Sequence, residues 1–172
     1  MSEFLAFEYT DVHSFEAWAA EPVLRQVRRR YAPVAWWRRA HTTPSGERGR
    51  WAARAAYAAE HQGSARGEAV LRRLLEATFV DGTPVADIEG IRSALAGVPG
   101  LDVWRLIRDL DSPDVVWAVD RDHAMALRHG FTAPTVLFRG PRGDRVVAGR
   151  QPLEAYVEAI EAVVPPLEAK AA

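Results

Sequence analysis

The stretch YTDVHSFEAW, residues 9–18, decides the fold because it joins two segments with different apolar periodicity. Before it, EFLAFEYT (3–10) is short, apolar and aromatic, which predicts a buried strand. After it, apolar residues recur at three- and four-residue spacings, which predicts a helix over 14–31. A loop between a strand and a helix is a common place for functional residues. This loop carries no obvious nucleophile, so its role has to be inferred from the rest of the chain.

The remaining pattern predicts an α/β fold that is interrupted by a helical block. The predicted elements after the first helix are a strand (33–40), helices from 47 to about 110, a helix (112–130), two strands (133–140 and 144–150) and a closing helix (152–164). Without the block, the order is βαβ, then α and ββα, which is a thioredoxin-like arrangement. The predicted division is a core (1–42 and 112–166), an inserted all-helical domain (43–111) and a disordered tail (167–172).

Composition and charge exclude several classes of partner. The 172 residues are 48% hydrophobic, which suits one domain with an insertion. There are 22 basic and 23 acidic residues, so charge gives no case for binding nucleic acid or an anionic membrane. Most arginines lie beside Glu or Asp in helical segments, which predicts a solvated, ion-paired surface.

The sequence shows no secretory signal and no run of about 20 apolar residues, so we expect a cytoplasmic protein.

The chain contains no cysteine. Disulfide exchange, thiolate nucleophiles and cysteine-ligated zinc are therefore excluded for this chain alone. No group of His, Asp and Glu has the spacing of metal ligands on one helix face, so we predict no metal site. A glycine-rich phosphate loop and a nucleophile elbow are also missing from the sequence.

Four stretches, taken in order, resemble the DsbA/FrnE family of thioredoxin-fold proteins. They are the strand and loop with Tyr9, Thr10 and Asp11, ATFVDGTPVADIEGI (77–91), GFTAPTVLF (130–138) and AGRQPLEAYVEAI (148–160). The third is similar to the family's Gly-Val-x-x-Pro-Thr loop, which implies a cis-proline at Pro134. The resemblance also implies that the helical insert lies between the second strand and the later helix.

The sequence departs from the redox members of this family at the active site. Where they carry Cys-x-x-Cys or Cys-x-x-Ser, this chain has Ser14 and Ala17. A serine hydroxyl titrates far above the cysteine value of about 8.5 and cannot form a disulfide. The family's dithiol-disulfide oxidoreductase activity is therefore not carried over to this chain.

Three residues around the helix start are candidate catalytic groups: His13, Ser14 and Glu16. Ser14 faces the unpaired N–H groups of a helix N-terminus, or is only its N-cap, worth about 1 kcal/mol, with Asp11 as a competing cap. The helix dipole favours a neutral His13 that could accept a proton, although a plain surface histidine is the alternative. Glu16 is either a general acid or a first-turn residue that complements the dipole.

Other residues are candidates for ligand binding. A cis-proline would expose a backbone edge beside the helix start, and the alternative is that Pro134 only shapes the turn into the strand. Trp36 and Trp37 must point to opposite faces of their strand, and we expect at least one to reach the groove beside the insert. The predicted ligand-binding residues are Asp11, Phe15, Trp18, Trp37, Thr132, Ala133, Pro134 and Thr135.

Two functions follow from these residues. The first is a redox-inactive binding or adaptor protein, whose groove between the helix start and the cis-proline loop holds a peptide or a small molecule without a cofactor. The second is a repurposed isomerase- or transferase-like enzyme that uses His13 and Glu16 as base and acid. Some relatives have serine in place of the first cysteine and activate a low-molecular-weight thiol such as glutathione. Phe15 and Glu16 replace the Pro-Trp that usually follows in those relatives, so this cofactor stays an open alternative.

Overall fold

The computed structural model describes residues 4–32, 35–40 and 47–164. Over these residues the chain forms four strands and seven helices, in the order that the sequence predicts. They are β1 (Leu5–Thr10), α1 (Phe15–Arg30), β2 (Ala35–Ala40), α2 (Glu47–Glu60), α3 (Ser64–Phe79), α4 (Ile88–Leu95), α5 (Val103–Asp109), α6 (Pro113–His129), β3 (Thr135–Gly140), β4 (Gly143–Ala148) and α7 (Leu153–Val163). The predicted tail lies outside the described residues.

The four strands form one mixed sheet in the order β2-β1-β3-β4. β1 pairs with β2 in parallel and with β3 antiparallel, and β3 continues antiparallel into β4. Because β1 lies inside the sheet, the loop that follows it opens next to the start of β3. This topology therefore brings the start of α1 close to the loop before β3.

One face of the sheet is covered by α1 and α7. The even-numbered residues of β1 and β3 point to this face, where Ala6, Val136 and Phe138 pack with Leu24 of α1 and Tyr156 of α7. These five side chains are fully or almost fully buried. They form the core of the thioredoxin-like part of the fold and hold α1 in place above the sheet.

The helical block has its own apolar core. α2 contributes a run of alanines with little or no exposure, and their small size lets α3 approach closely. Val115 and Val119 of α6 belong to this second core, and so does Val12 from the loop after β1. Val12 therefore anchors the loop to the helical insert. The exact boundary of the insert stays a prediction, since α6 packs against it as well as against β2.

Charged residues lie buried beneath α1, and Arg28 is an exception to the solvated, ion-paired surface that the sequence predicts for most arginines. Arg28 Nη1 is 2.7 Å from Oε2 of Glu8, and its Nη2 is 2.5 Å from Oε1 of Glu21. The indole of Trp36 donates to the same Glu8 oxygen over 2.9 Å. Glu8 is fully buried on β1, and the Arg28 side chain is only 14% exposed. We call these four residues the Arg28 cluster.

Candidate functional site

The loop between β1 and α1 is organised by two side chains that cap backbone amides. Ser14 is the N-cap of α1, and its Oγ accepts a hydrogen bond from the N–H of Ala17 over 3.2 Å. Asp11 is buried and accepts the N–H of His13 over 2.8 Å. The two predicted caps therefore act together, each on a different amide, and fix the approach of the chain to the helix.

The Ala133–Pro134 peptide bond is cis, which confirms the prediction. Thr132 is exposed, whereas Ala133, Pro134 and Thr135 are buried. The Thr135 hydroxyl donates to the carbonyl of Thr132, and the N–H of Gly149 donates to the carbonyl of Pro134 over 2.8 Å. The loop is thus held from both sides, and Thr132 is the one of its four predicted residues that is exposed to solvent.

A single hydrogen bond joins the helix start to the cis-proline loop. The hydroxyl of Ser14 donates to the carbonyl oxygen of Ala133 over 3.1 Å. This bond engages the backbone edge that the sequence predicts to be exposed. A carbonyl oxygen has two lone pairs, so the Ala133 carbonyl can still accept a second donor. Ser14 therefore bridges the two halves of the candidate groove and leaves part of the edge open.

An aromatic surface adjoins the helix start. Phe15 is 62% exposed, and its ring meets Phe79 of α3 edge-on at 6.0 Å between centroids. Trp18, one turn further along α1, stacks on the same Phe79 ring at 6.1 Å. We call Phe15, Trp18 and Phe79 the aromatic shelf. The sequence predicts Phe15 and Trp18 as ligand-binding residues but not Phe79, since only the tertiary packing of α3 brings it to them.

Residues 40–161 match the family model of the DSBA-like thioredoxin domain. The chain belongs to this family. The matched segment includes the cis-proline loop and the helical insert and covers well over half of the chain. With no cysteine in its sequence, the chain is a cysteine-free DSBA-like protein. The predicted thioredoxin-like α/β fold is confirmed.

Several relatives are known by sequence or structure. The ClpXP adapter protein SpxH of Shouchella clausii is 32% identical over 108 residues, which are 60% of this chain and 36% of SpxH. The match thus spans about a third of the relative's length. A thioredoxin-like oxidoreductase from Silicibacter pomeroyi is 25% identical with a TM-score of 0.77, covering 93% of this chain and 86% of that one. Pseudomonas aeruginosa DsbA2 shares the fold at 22% identity with a TM-score of 0.73, covering 93% and 88%.

The other two candidate catalytic residues of this DSBA-like chain lie on either side of Ser14. The Nε2 atom of His13 is buried and finds no hydrogen-bond partner among the residues that the structure describes. Glu16 is exposed in the first turn of α1, where a carboxylate complements the helix dipole. Within the described ranges, no hydrogen bond joins Glu16 to His13 or Ser14. The structure therefore gives His13 an unusual environment and Glu16 an ordinary one.

Trp37, another predicted ligand-binding residue, points away from α1. Trp36 meets Glu8 on the α1 side, so the two tryptophans lie on opposite faces of β2, as predicted. Trp37 stacks on Phe7 at 5.1 Å. Leu137 of β3 and Val146 of β4 are in register with this pair. One apolar side chain from each of the four strands thus forms a row across the sheet. We call it the cross-sheet row. Among the residues that the structure describes, no hydrogen bond or ring contact connects Trp37 to Ser14 or to the cis-proline loop.

The described residues contain no group of three or more His, Cys, Asp or Glu side chains that could hold a metal ion. None of the helices described is both long and apolar enough to span a membrane. A bound low-molecular-weight thiol fits the site poorly, because the exposed Phe15 ring and the Glu16 carboxylate follow directly after Ser14. These two residues differ from the Pro-Trp pair of thiol-using relatives. We derive no step through such a thiol.

Proposed function

We propose that this protein binds a peptide segment without covalent chemistry, in the groove between the start of α1 and the cis-proline loop. The observation that carries the proposal is the Ser14 hydroxyl, which bridges the helix start and the Ala133 carbonyl from the position where redox members have their first cysteine. A hydroxyl there can donate and accept hydrogen bonds but cannot exchange disulfides. The scaffold of the site is therefore kept, while its redox chemistry is lost.

The backbone around the groove suits an extended ligand. Ser14 can move its proton from the Ala133 carbonyl to a ligand carbonyl, because a hydroxyl group rotates at little cost. The Ala133 oxygen then becomes free to accept a ligand N–H. An extended peptide beside Thr132 and Ala133 would use main-chain hydrogen bonds for affinity, as in other cases of strand addition. A small molecule with an amide or a carboxylate could use the same groups.

One relative supports an adaptor role. SpxH is named as an adapter protein of ClpXP, and non-covalent binding of a protein segment is compatible with that name. The present chain covers only 36% of SpxH, so the resemblance concerns this domain and not the whole relative. We therefore propose a protein segment, in preference to a free metabolite, as the ligand. A cytoplasmic location belongs to the same proposal.

The test uses an unfolded protein that cannot form disulfides. Reduced and carboxymethylated α-lactalbumin is titrated into the ¹⁵N-labelled protein, with natively folded α-lactalbumin as the control. We expect amide shifts in residues 11–18 and 131–135 with the unfolded probe alone, and smaller shifts in Ser14→Ala. If both segments stay unperturbed with the unfolded probe, the proposed groove is wrong.

A second candidate function is an isomerase- or transferase-like reaction by acid-base chemistry, and the environment of His13 is the observation that favours it. A buried ring nitrogen with no partner among the described residues is costly, and a bound substrate could satisfy it. The imidazole of His13 is a group that could take up a proton from such a substrate. The test is mass spectrometry of a metabolite extract incubated with the wild type and with His13→Ala. Equal composition of the two incubated extracts would rule this reaction out.

A further inference from the structure

The aromatic shelf extends the groove toward the helical insert. Its rings come from both parts of the fold, since Phe15 and Trp18 lie on α1 and Phe79 ends α3. Val80 follows Phe79 and is 66% exposed. Large apolar side chains that remain exposed beside a candidate groove typically mark a contact surface. Because Ser14 immediately precedes Phe15, a ligand at the Ala133 carbonyl lies within reach of the shelf.

Glu16 differs from the carboxylates near the end of α3, which are in ion pairs. On α3, Arg72 lies 4.0 Å from Glu76, and on the segment that follows, Asp81 lies 2.6 Å from Arg73. These two pairs are each neutral. Glu16, next to Phe15, is exposed and has no ion-pair partner among the described residues. At its Phe15 end, the shelf therefore combines an apolar aromatic surface with the negative charge of Glu16.

We propose that the aromatic shelf and Glu16 select peptide segments in which an apolar anchor residue is flanked by Lys or Arg. This inference rests on the proposed function and names the class of segment that the groove holds. The anchor, such as Leu or Phe, packs on the exposed ring of Phe15 and toward Phe79. The neighbouring cation pairs with Glu16 at the rim, where charge adds mainly to selectivity and to the association rate.

The position of Phe15 and of Glu16 in the contact determines how much each substitution should weaken peptide binding. Aromatic anchors at the centre of a contact carry much of the binding free energy, so removing the Phe15 ring should weaken binding about tenfold. A rim carboxylate contributes less, and Glu16→Gln should weaken the binding of a lysine-flanked peptide about threefold, with the difference shrinking as salt is added. Phe15 is mostly exposed, so its substitution by Ala should leave the fold intact.

The test measures fluorescence anisotropy with labelled Thr/Ser peptides that carry a central Leu between two lysines, a central Leu between two glutamates, or a central Ser between two lysines. Wild type, Phe15→Ala and Glu16→Gln are compared with two matched controls. Trp104→Ala removes an exposed aromatic ring from α5, and Glu154→Gln removes an exposed first-turn carboxylate from α7. Neither control residue belongs to the groove.

The expected result is tightest binding of the lysine-flanked Leu peptide, weakened by Phe15→Ala and by Glu16→Gln but by neither control. Amide shifts recorded with the same peptides distinguish a failure of the proposed selectivity from a failure of the proposed binding groove. If residues 131–135 shift equally with all three peptides and the variants bind like wild type, the selectivity is wrong and the groove stands. If no peptide shifts residues 131–135, the proposed function itself fails. A carboxylate-bearing small molecule that competes for these shifts would show the groove to be a metabolite site and overturn the inference.

Discussion

The unit formed by β1 and α1 contains two polar assemblies that differ in burial. At its open end, Ser14 reaches the Ala133 carbonyl through a single hydroxyl in a partly exposed loop. Beneath α1, the Arg28 cluster joins two buried carboxylates, a guanidinium and an indole from three different elements. The first assembly can open for a ligand at little cost, while breaking the second disrupts ion pairs that are buried in the core. We infer that binding and stability are divided between the two ends of this unit.

The largest expected effect is on stability and comes from Arg28→Met. This change removes the guanidinium that contacts the buried carboxylates of Glu8 and Glu21, which should lower the free energy of unfolding by about 3–5 kcal/mol. The measurement is denaturant unfolding. Arg29→Met is the matched control, since Arg29 is exposed on the same helix, and it should stay within about 0.5 kcal/mol of wild type. A loss below about 1 kcal/mol for Arg28→Met would show that the cluster is not a main source of stability.

An intermediate effect is expected for Ser14→Ala. The variant loses the cap on the Ala17 amide and the bond to the Ala133 carbonyl, so unfolding should become easier by about 1–2 kcal/mol. The same unfolding experiment measures it, with Ser64→Ala at the exposed first residue of α3 as the control. If Ser14→Ala destabilises the chain as strongly as Arg28→Met, the proposed division between binding and stability is wrong.

The smallest expected effect is on the pH dependence of stability and comes from Tyr156, which is buried in the core of the sheet. Burial raises the pKa of this phenol above its usual value of about 10, and its hydroxyl donates over 3.4 Å to the carbonyl of Gly149, beside the cis-proline loop. Above pH 10 the unfolded chain loses this proton first, so the free energy of unfolding falls as pH rises. In Tyr156→Phe the fall between pH 9 and 11 should be shallower. Identical slopes for the two proteins would contradict a raised pKa.

The sequence predicts much of the fold because periodicity and capping are local properties. The order of elements, the cap at Ser14 and the cis bond before Pro134 can all be predicted from neighbouring residues or from the family resemblance. Phe79 and Arg28 could not be predicted in the same way. Phe79 reaches Phe15 only because α3 packs beside α1, and Arg28 meets Glu8 only because α1 crosses the sheet at that point. For Trp37, strand alternation predicts two faces but not which face meets the groove.

The most direct test of the proposed binding site is the set of intermolecular NOEs between the protein and the lysine-flanked Leu peptide. Two surfaces of the protein could bind this peptide, because the cross-sheet row also exposes apolar side chains. Trp37 is 41% exposed and Val146 is 49% exposed. We expect NOEs from the peptide to Phe15 and to Thr132. NOEs to Trp37 and Val146, with none to Phe15 or Thr132, would contradict a ligand groove between α1 and the cis-proline loop.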